Sequence, residues 1–497
     1  MKRLLWTLLA VCSCLTAQGQ LSPLDFGLHE ATSDSARYWV LYHTHRTAAD
    51  SGVAVSYKGI DTIQIRIPAD AKSLPLTDSN DFGHVVMVVK NNARSLFLFA
   101  STPKMEPLPY PDSNDLNNVI DEGHYFALDT LREGRWLLEV TDSTLWVDNR
   151  EDHTYGHYRN ELIRVSDGIS TDLPAMPYSG TDARPHLRGR RVDSDLPFLF
   201  ANITLIRDSG ATCRTYLLDV ENRQQVTLRG IVVSTPIQSK MVDDAIIKVY
   251  NCAEVELDSV ALWGSYSRPN RSGYGLVMNN LRDTRVRRLT AVSPWGIFGT
   301  NNMYNTMMED CDFNRFDIHC YGRDVTFRHC RQKNGYNQFS SVVGIIVFDH
   351  CLFDNFTPVL IEDSYNAYTH FVLRMDSCQW WLTRRNHTLM HAGRLGFNPN
   401  TRKELQTPCL PDIEITGLTT HTPKGVKELT LFYYSGKKPQ TAPIGGIGHI
   451  DLRGWQDTGM RPAIKSANKK VQLLQEVRIT MPVGTDGQTE ERIVQTL

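Results

Sequence analysis

The 497-residue chain is almost free of net charge, −2 by formal count. Beyond its first twenty residues it also lacks any apolar run near the roughly 18 residues that span a bilayer. The first absence argues against generic nucleic-acid binding and the second against a membrane span. Helical periodicity is weak outside residues 35 to 50. No CxxC pair or His/Cys cluster has zinc spacing, and no Pro/Gly/Ser-rich linker divides the chain. What is left is ordinary globular composition, 41% hydrophobic and 22% charged, with short β-branched runs between Gly, Pro, Asn and Asp.

Residues 1–20, MKRLLWTLLAVCSCLTAQGQ, place Lys2 and Arg3 before an apolar run and small residues after it, the pattern of a secretory signal peptide. Export is expected, to the periplasm, the medium or the cell surface. Lipid attachment at Cys14 is the alternative, and Cys12-Ser13 fits it poorly. Eight cysteines follow: 213, 252, 311, 320, 330, 351, 378 and 409. Their spacing is repeat-like, so buried thiols are expected rather than disulfides.

Runs such as Ile63-Gln64-Ile65-Arg66-Ile67 and Val85 to Val89 read as strands. Aligning VELDSV, VRRLTA, NTMMEDC, VTFRHC, VFDHC and LRMDSC puts Val260, Ala291, Cys311, Cys330, Cys351 and Cys378 at one position, at intervals of 31, 20, 19, 21 and 27. A period near 20 with variable loops fits a coil of three short strands. The expected fold is all-β, a single solenoid over residues 21–480, with an N-terminal cap and first coils over 21–100 and regular coils over 226–460. Residues 105–225 are expected as early coils with large insertions, and 481–497 as a polar tail.

One stretch concentrates chemistry. In Arg315-Phe316-Asp317-Ile318-His319-Cys320 a period of two sends Arg315, Asp317 and His319 to one face. That row is either a surface salt-bridge ladder or the cation, orienting acid and proton-transfer group of an active site. Neighbouring coils add Trp295, Asn301 and Asn302 on one side, then Tyr336, Asn337, Glu362 and Tyr365 on the other. Rings beside amides and charges suit a sugar-binding groove. Residues 268–335 carry 11 Lys/Arg against 6 Asp/Glu, a local excess of 11 − 6 = +5, which favours an anionic polymer. His157, Tyr158 and Arg159 mark a second polar segment, a candidate part of the groove or a plain surface loop.

The DFG-like start, short helix and I-x-I-P strand resemble the N-terminal cap of right-handed parallel β-helix proteins. Trp295-Gly296-Ile297-Phe298-Gly299-Thr300-Asn301 followed by Arg315-Phe316-Asp317-Ile318-His319 resembles a motif pair of exported and phage-borne members of that group. Gly156-His157-Tyr158-Arg159 and Arg229-Gly230-Ile231 resemble its upstream motifs. More broadly the chain is similar to pectate-lyase-like polysaccharide lyases. The resemblance implies a right-handed single-stranded parallel β-helix acting on a polysaccharide, with glycosaminoglycans such as chondroitin sulfate in view. It departs from pectate lyases in showing no Asp/Glu cluster that would make their calcium site. No cofactor is expected, and calcium would need a site that the sequence does not display.

For β-elimination across a uronic acid, Arg315 and Asn302 would neutralise the carboxylate, and His319 would take the C5 proton with Asp317 orienting it. Tyr321 or Tyr336 would then protonate the leaving oxygen. A glycoside hydrolase would instead pair Asp317 with Glu362, Asp363 or Asp349. A non-catalytic glycan-binding solenoid is the third reading.

Overall fold

The computed structural model describes residues 20–90, 96–109, 120, 123–148, 156–175, 185–207, 215–234, 246–263, 275–291, 298–318, 321–333, 335–340, 342–354, 357–361, 370–382, 388–392, 411–421, 428–435, 449–452, 461–466, 472–483 and 488–496. They fall into two compact units. One comprises Met1–Pro103, Asp195–Val277 and Leu289–Trp295, the other Lys104–Ser194, Met278–Arg288 and Gly296–Leu497.

The first unit begins with the helix Asp34–Ser51. Ser33 caps it by accepting from the Ala36 N–H at 3.1 Å, and Gly52 ends it at φ 66°. Its buried face carries Tyr38, Leu41, Thr44, His45 and Ala48. His45 contacts the Tyr57 hydroxyl at 2.7 Å and the Pro75 carbonyl at 3.2 Å. Around it Phe82 packs on Tyr57, Phe99 and Phe200, with ring centroids 5.0, 5.0 and 4.8 Å apart. This aromatic plug is the N-terminal cap. Parallel strands then stack as Thr62–Arg66, Ser79–Lys90, Phe198–Arg207, Gln224–Ser234 and Ile247–Trp263.

Ser79–Lys90 pairs directly with Phe198–Arg207, so the chain leaves the coils near residue 103 and rejoins them near 195. Where early coils with insertions are expected, five described strands between residues 106 and 191 make an antiparallel sheet in the second unit. Its order is Ile169–Ser170, Gly156–Ser166, Arg135–Asp148, His186–Arg191 and Glu106–Leu108. Phe126, Leu138, Val140, Ile163 and Val165 belong to its own apolar cluster.

The rest of the second unit is regular. Phe298–Glu309, Gly322–Arg328, Val342–Asp349, His370–Asp376 and Asp412–Thr416 form one parallel column. Asp312–Phe313, Arg331–Lys333, Leu352–Asp354, Gln379–Trp381 and Thr419–His421 form a second. Phe316–Ile318, Asn337–Phe339, Val359–Ile361, Thr388–Ala392 and Glu428–Tyr434 form a third. Three short strands per coil, all parallel to their neighbours, make a right-handed parallel β-helix.

Each coil turns from the first column to the second at a left-handed residue: Asp310, His329, His350 and Ser377 at φ 55°, 49°, 51° and 50°. The next residue in each is Cys311, Cys330, Cys351 or Cys378, buried and unbonded to another sulfur. Their thiols sit near main-chain carbonyls, as Cys330 Sγ does 3.3 Å from Arg328 O. Cys252 is also a buried free thiol, whereas Cys213, Cys320 and Cys409 lie outside the described residues. The upstream alignment needs a correction. Leu262 pairs with Ala291, so Leu289 and not Ala291 stands beside Val260. The final strand Gln488–Thr496 folds back antiparallel on Gln472–Val483.

Candidate functional site

Within the second unit, the strand Gly156–Ser166 docks on Arg282 and Asp283 of one coil strand and on Asn302 and Tyr304 of the strand Phe298–Glu309 through polar contacts. The Asn160 N–H donates to Asn302 Oδ1 at 3.3 Å, and the Tyr304 hydroxyl donates to the Asn160 carbonyl at 2.9 Å. Arg282 donates from Nε to the Leu162 carbonyl at 2.7 Å and from Nη2 to Glu161, with its guanidinium 5.5 Å from the Tyr304 ring centroid. Arg164 bridges Asp172 at 2.6 Å and Asp283 at 2.5 Å. The Asn160 amide also donates to Glu139 at 2.7 Å, whose other oxygen accepts from Arg188 at 3.2 Å. Buried carboxylates and guanidiniums therefore arrive already paired, as they must when water is removed.

His157, Tyr158 and Arg159 belong to this strand, in register with Val147, Trp146 and Asp142. They precede Asn160 directly, so their backbone runs into the contact with Asn302 and Tyr304. Asn302 sits at φ 52° and is buried, as is Asn301. Asparagine tolerates that left-handed backbone. Tyr321 adopts φ 56° on the coil after Asn302, where a bulky side chain is disfavoured.

The row at 315–317 keeps the face that its periodicity assigns, with Phe316 and Ile318 in the column interior and Arg315 and Asp317 opposite. It is covered rather than exposed. Arg315 is 6% exposed and Asp317 0%. Arg315 Nε lies 2.5 Å from Asp317 Oδ1, its Nη2 donates to Gln338 Oε1 at 3.2 Å, and its guanidinium lies 4.4 Å from the Tyr336 ring centroid. A planar guanidinium held by a carboxylate and a ring is a fixed element, not a free anion trap. Gly335 lets this turn approach: a Cβ there would stand 2.0 Å from the Asn314 carbonyl oxygen.

Asn337 does not belong with these groups. It is in register with Phe316 and Val359, fully buried, and its amide donates to Gln332 Oε1 at 2.9 Å and to the Pro358 carbonyl at 3.1 Å. It faces the interior, so it has no access to a ligand. His319, Trp295, Glu362 and Tyr365 lie outside the described residues.

Charge pairing also revises the local basic field. Arg282, Arg285, Arg315, Arg323, Arg328, Arg331 and Lys333, seven of the eleven cations, each have an acidic partner within 4.0 Å. Glu139, Asn160, Arg282 and Tyr304 escape a reading of the sequence. Their only signal is a polar Asn160-Glu161 pair amid the apolar alternation of a strand. Among the described residues no three His, Cys, Asp or Glu side chains converge to hold a metal, and no helix is long and apolar enough to cross a membrane.

The class is a right-handed parallel β-helix with a capped N-terminal end and a polar docking site on its coils. No family model and no curated protein matches the chain. Among solved structures it is similar to the tailspike protein gp49 of Pseudomonas phage LKA1, at 13% identity and a TM-score of 0.56, over 93% of this chain and 85% of that one. The tailspike gp61 of Pseudomonas phage phi297 gives 11% and 0.53, covering 93% and 84%. The Gp54 tailspike of Acinetobacter baumannii bacteriophage AP22, solved with A. baumannii capsular saccharide, gives 10% and 0.51, covering 93% and 80%. At such identities the likeness establishes the fold.

Proposed function

We propose that this protein is an exported, glycan-active β-helix that binds a uronic-acid-containing polysaccharide and cleaves it by β-elimination. A glycosaminoglycan of the chondroitin type is the favoured substrate. The observation that carries this reading is the docking of Asn160 on Asn302 and Tyr304, which joins the Gly156-His157-Tyr158-Arg159 strand to the coil beside the Arg315–Asp317 row. Two segments 140 residues or more apart in sequence, each singled out for its chemistry, are joined by this contact, which supports assigning both to one groove. The tailspike of similar fold that was solved with a capsular saccharide supports a polysaccharide as the partner.

In this mechanism His319 is the base that takes the C5 proton. Because Arg315 and Asp317 neutralise one another, they stiffen the strand that leads to His319, while Asn302 and Arg159 are assigned to the substrate carboxylate. Tyr321 is the acid at the leaving oxygen, and its left-handed backbone is the strain that such a role would maintain. No metal takes part in any step.

The test is an ultraviolet time course for the conjugated double bond that only elimination creates. It uses chondroitin sulfates, hyaluronan, heparan sulfate, polygalacturonate and alginate, with and without EDTA, beside His319→Ala. A rise that the substitution abolishes and EDTA leaves alone supports the lyase. New reducing ends without the absorbance would transfer the reading to hydrolysis.

A non-catalytic glycan-binding role is the second reading, favoured by the burial and mutual pairing of Arg315 and Asp317. Retarded migration in a glycan-containing gel, with neither product formed, would establish it.

A further inference from the structure

His329 and His350 occupy the same corner of successive coils, at φ 49° and 51°. Both backbones are fixed by the ladder, since the His329 N–H donates to the Asp349 carbonyl at 2.9 Å and the His350 N–H to the Asp376 carbonyl at 2.8 Å. The side chains are 54% and 56% exposed. Their ring centroids lie 5.5 Å apart with the planes inclined at 65°, so the rings meet edge to face rather than stacked.

Each imidazole keeps one nitrogen beside a carboxylate. His350 Nδ1 is 2.5 Å from Asp349 Oδ1, and His329 Nδ1 is 3.6 Å from Asp310 Oδ1. Asp349 is itself held by Arg328 Nε at 2.9 Å. The close carboxylate on His350 Nδ1 fixes that ring's tautomer and leaves Nε2 directed away from the backbone, as the outer partners of metal-bound histidines do, and Asp310 stands on the corresponding side of His329. Two imidazoles on one tetrahedral zinc, with metal–nitrogen distances of about 2.0–2.1 Å, have centroids roughly 5 Å apart. The pair already stands near that separation.

We propose that His329 and His350 form a surface site for a late first-row divalent cation, zinc, nickel or copper(II), ligated through their Nε2 atoms. No third His, Cys, Asp or Glu converges among the described residues, so the chain supplies two ligands and water completes the set. Imidazole donors suit these ions, whereas calcium and magnesium require oxygen ligands and are refused. The site is independent of the glycan reading, since none of Asn302, Arg315, Asp317 or Tyr321 enters it.

The experiment is calorimetric titration of the untagged full-length protein with zinc, nickel, copper(II) and calcium chlorides. Asparagine is the replacement at both positions because it tolerates the left-handed backbone. One zinc or nickel ion per chain is expected. His329→Asn and His350→Asn should each weaken binding at least tenfold, and the double variant should abolish it with the circular dichroism spectrum unchanged. Asp349→Asn should weaken it about tenfold without removing it. The copper(II) paramagnetic resonance spectrum should show two equatorial imidazole nitrogens in the wild type and one in either single variant. Absence of binding, titration unchanged in the double variant, or equal binding of calcium would overturn the proposal.

Discussion

The Tyr304 hydroxyl donates to the Asn160 carbonyl at 2.9 Å, closing 144 residues of chain with one hydrogen bond. Tyr304→Phe keeps the ring under Arg282 and removes only the donor, so stability should fall by about 1 kcal/mol. If the docked strand completes the site, glycan turnover or retention should fall further than that loss accounts for. Urea denaturation beside a glycan assay separates the two effects.

Arg315→Ala should lower stability by about 3–5 kcal/mol, because it leaves Asp317 charged and buried without its partner. Arg315→Met with Asp317→Leu should recover much of the loss, since an apolar pair of similar bulk needs no neutralisation. The check is the denaturant midpoint at constant m-value.

Gly335→Ala forces a methyl group against the Asn314 carbonyl oxygen, where backbone cannot yield cheaply. The expected cost is about 1–3 kcal/mol, with the Arg315–Tyr336 stack displaced. The loss should show as a lowered melting temperature, and an unchanged one would mean that this turn has slack.

Burial lowers the His45 pKa from 6.5 to about 4. Between those values the unfolded chain binds a proton that the folded chain refuses, so stability rises with pH across the window and is lost on acidification. The full difference corresponds to about 3 kcal/mol. Asp219 works in the opposite sense, because burial raises its pKa to about 6 and the folded state then holds the extra proton. The histidine contribution is therefore read as the difference between wild type and His45→Gln, whose stability should be less sensitive to acid between pH 6.5 and 4.

Burial pushes the Cys252 thiol up to about 12 and that of Cys351 upward, while at Cys330 the pull of the Cys311 thiol is outweighed by contact with the Cys351 thiol and by burial, so its pKa is raised too. Only thiolate attacks an alkylating reagent. These three, together with buried Cys311 and Cys378, should stay unmodified in the native protein at pH 8 and react after unfolding, as peptide mass mapping would record.

How much of this was legible depended on what a period of two encodes. It assigned Arg315 and Asp317 to one face and Phe316 and Ile318 to the other, and the cysteine spacing set the register from Cys311 to Cys378 correctly. It is silent on whether a face is covered, so the burial of Arg315 escaped it. Alternation is also alike in parallel and antiparallel strands, which left the sheet of residues 106–191 to be taken for coils. Asn337 departs from expectation because a polar side chain can turn inward when its amide N–H groups find acceptors there, here Gln332 Oε1 and the Pro358 carbonyl. Ala291 was displaced by two because the left-handed corner at Arg288 is invisible in an apolar pattern.

The reversed strand Gln488–Thr496 bears on self-association. A parallel ladder that ended in a parallel edge would offer another molecule a template for continuing the stack. Here the last partner of Gln472–Val483 runs the other way and carries Glu490 and Glu491, both exposed. An added strand would have to lie against this pair of negative charges, and charge on an edge strand is one of the devices by which sheets resist edge-to-edge stacking.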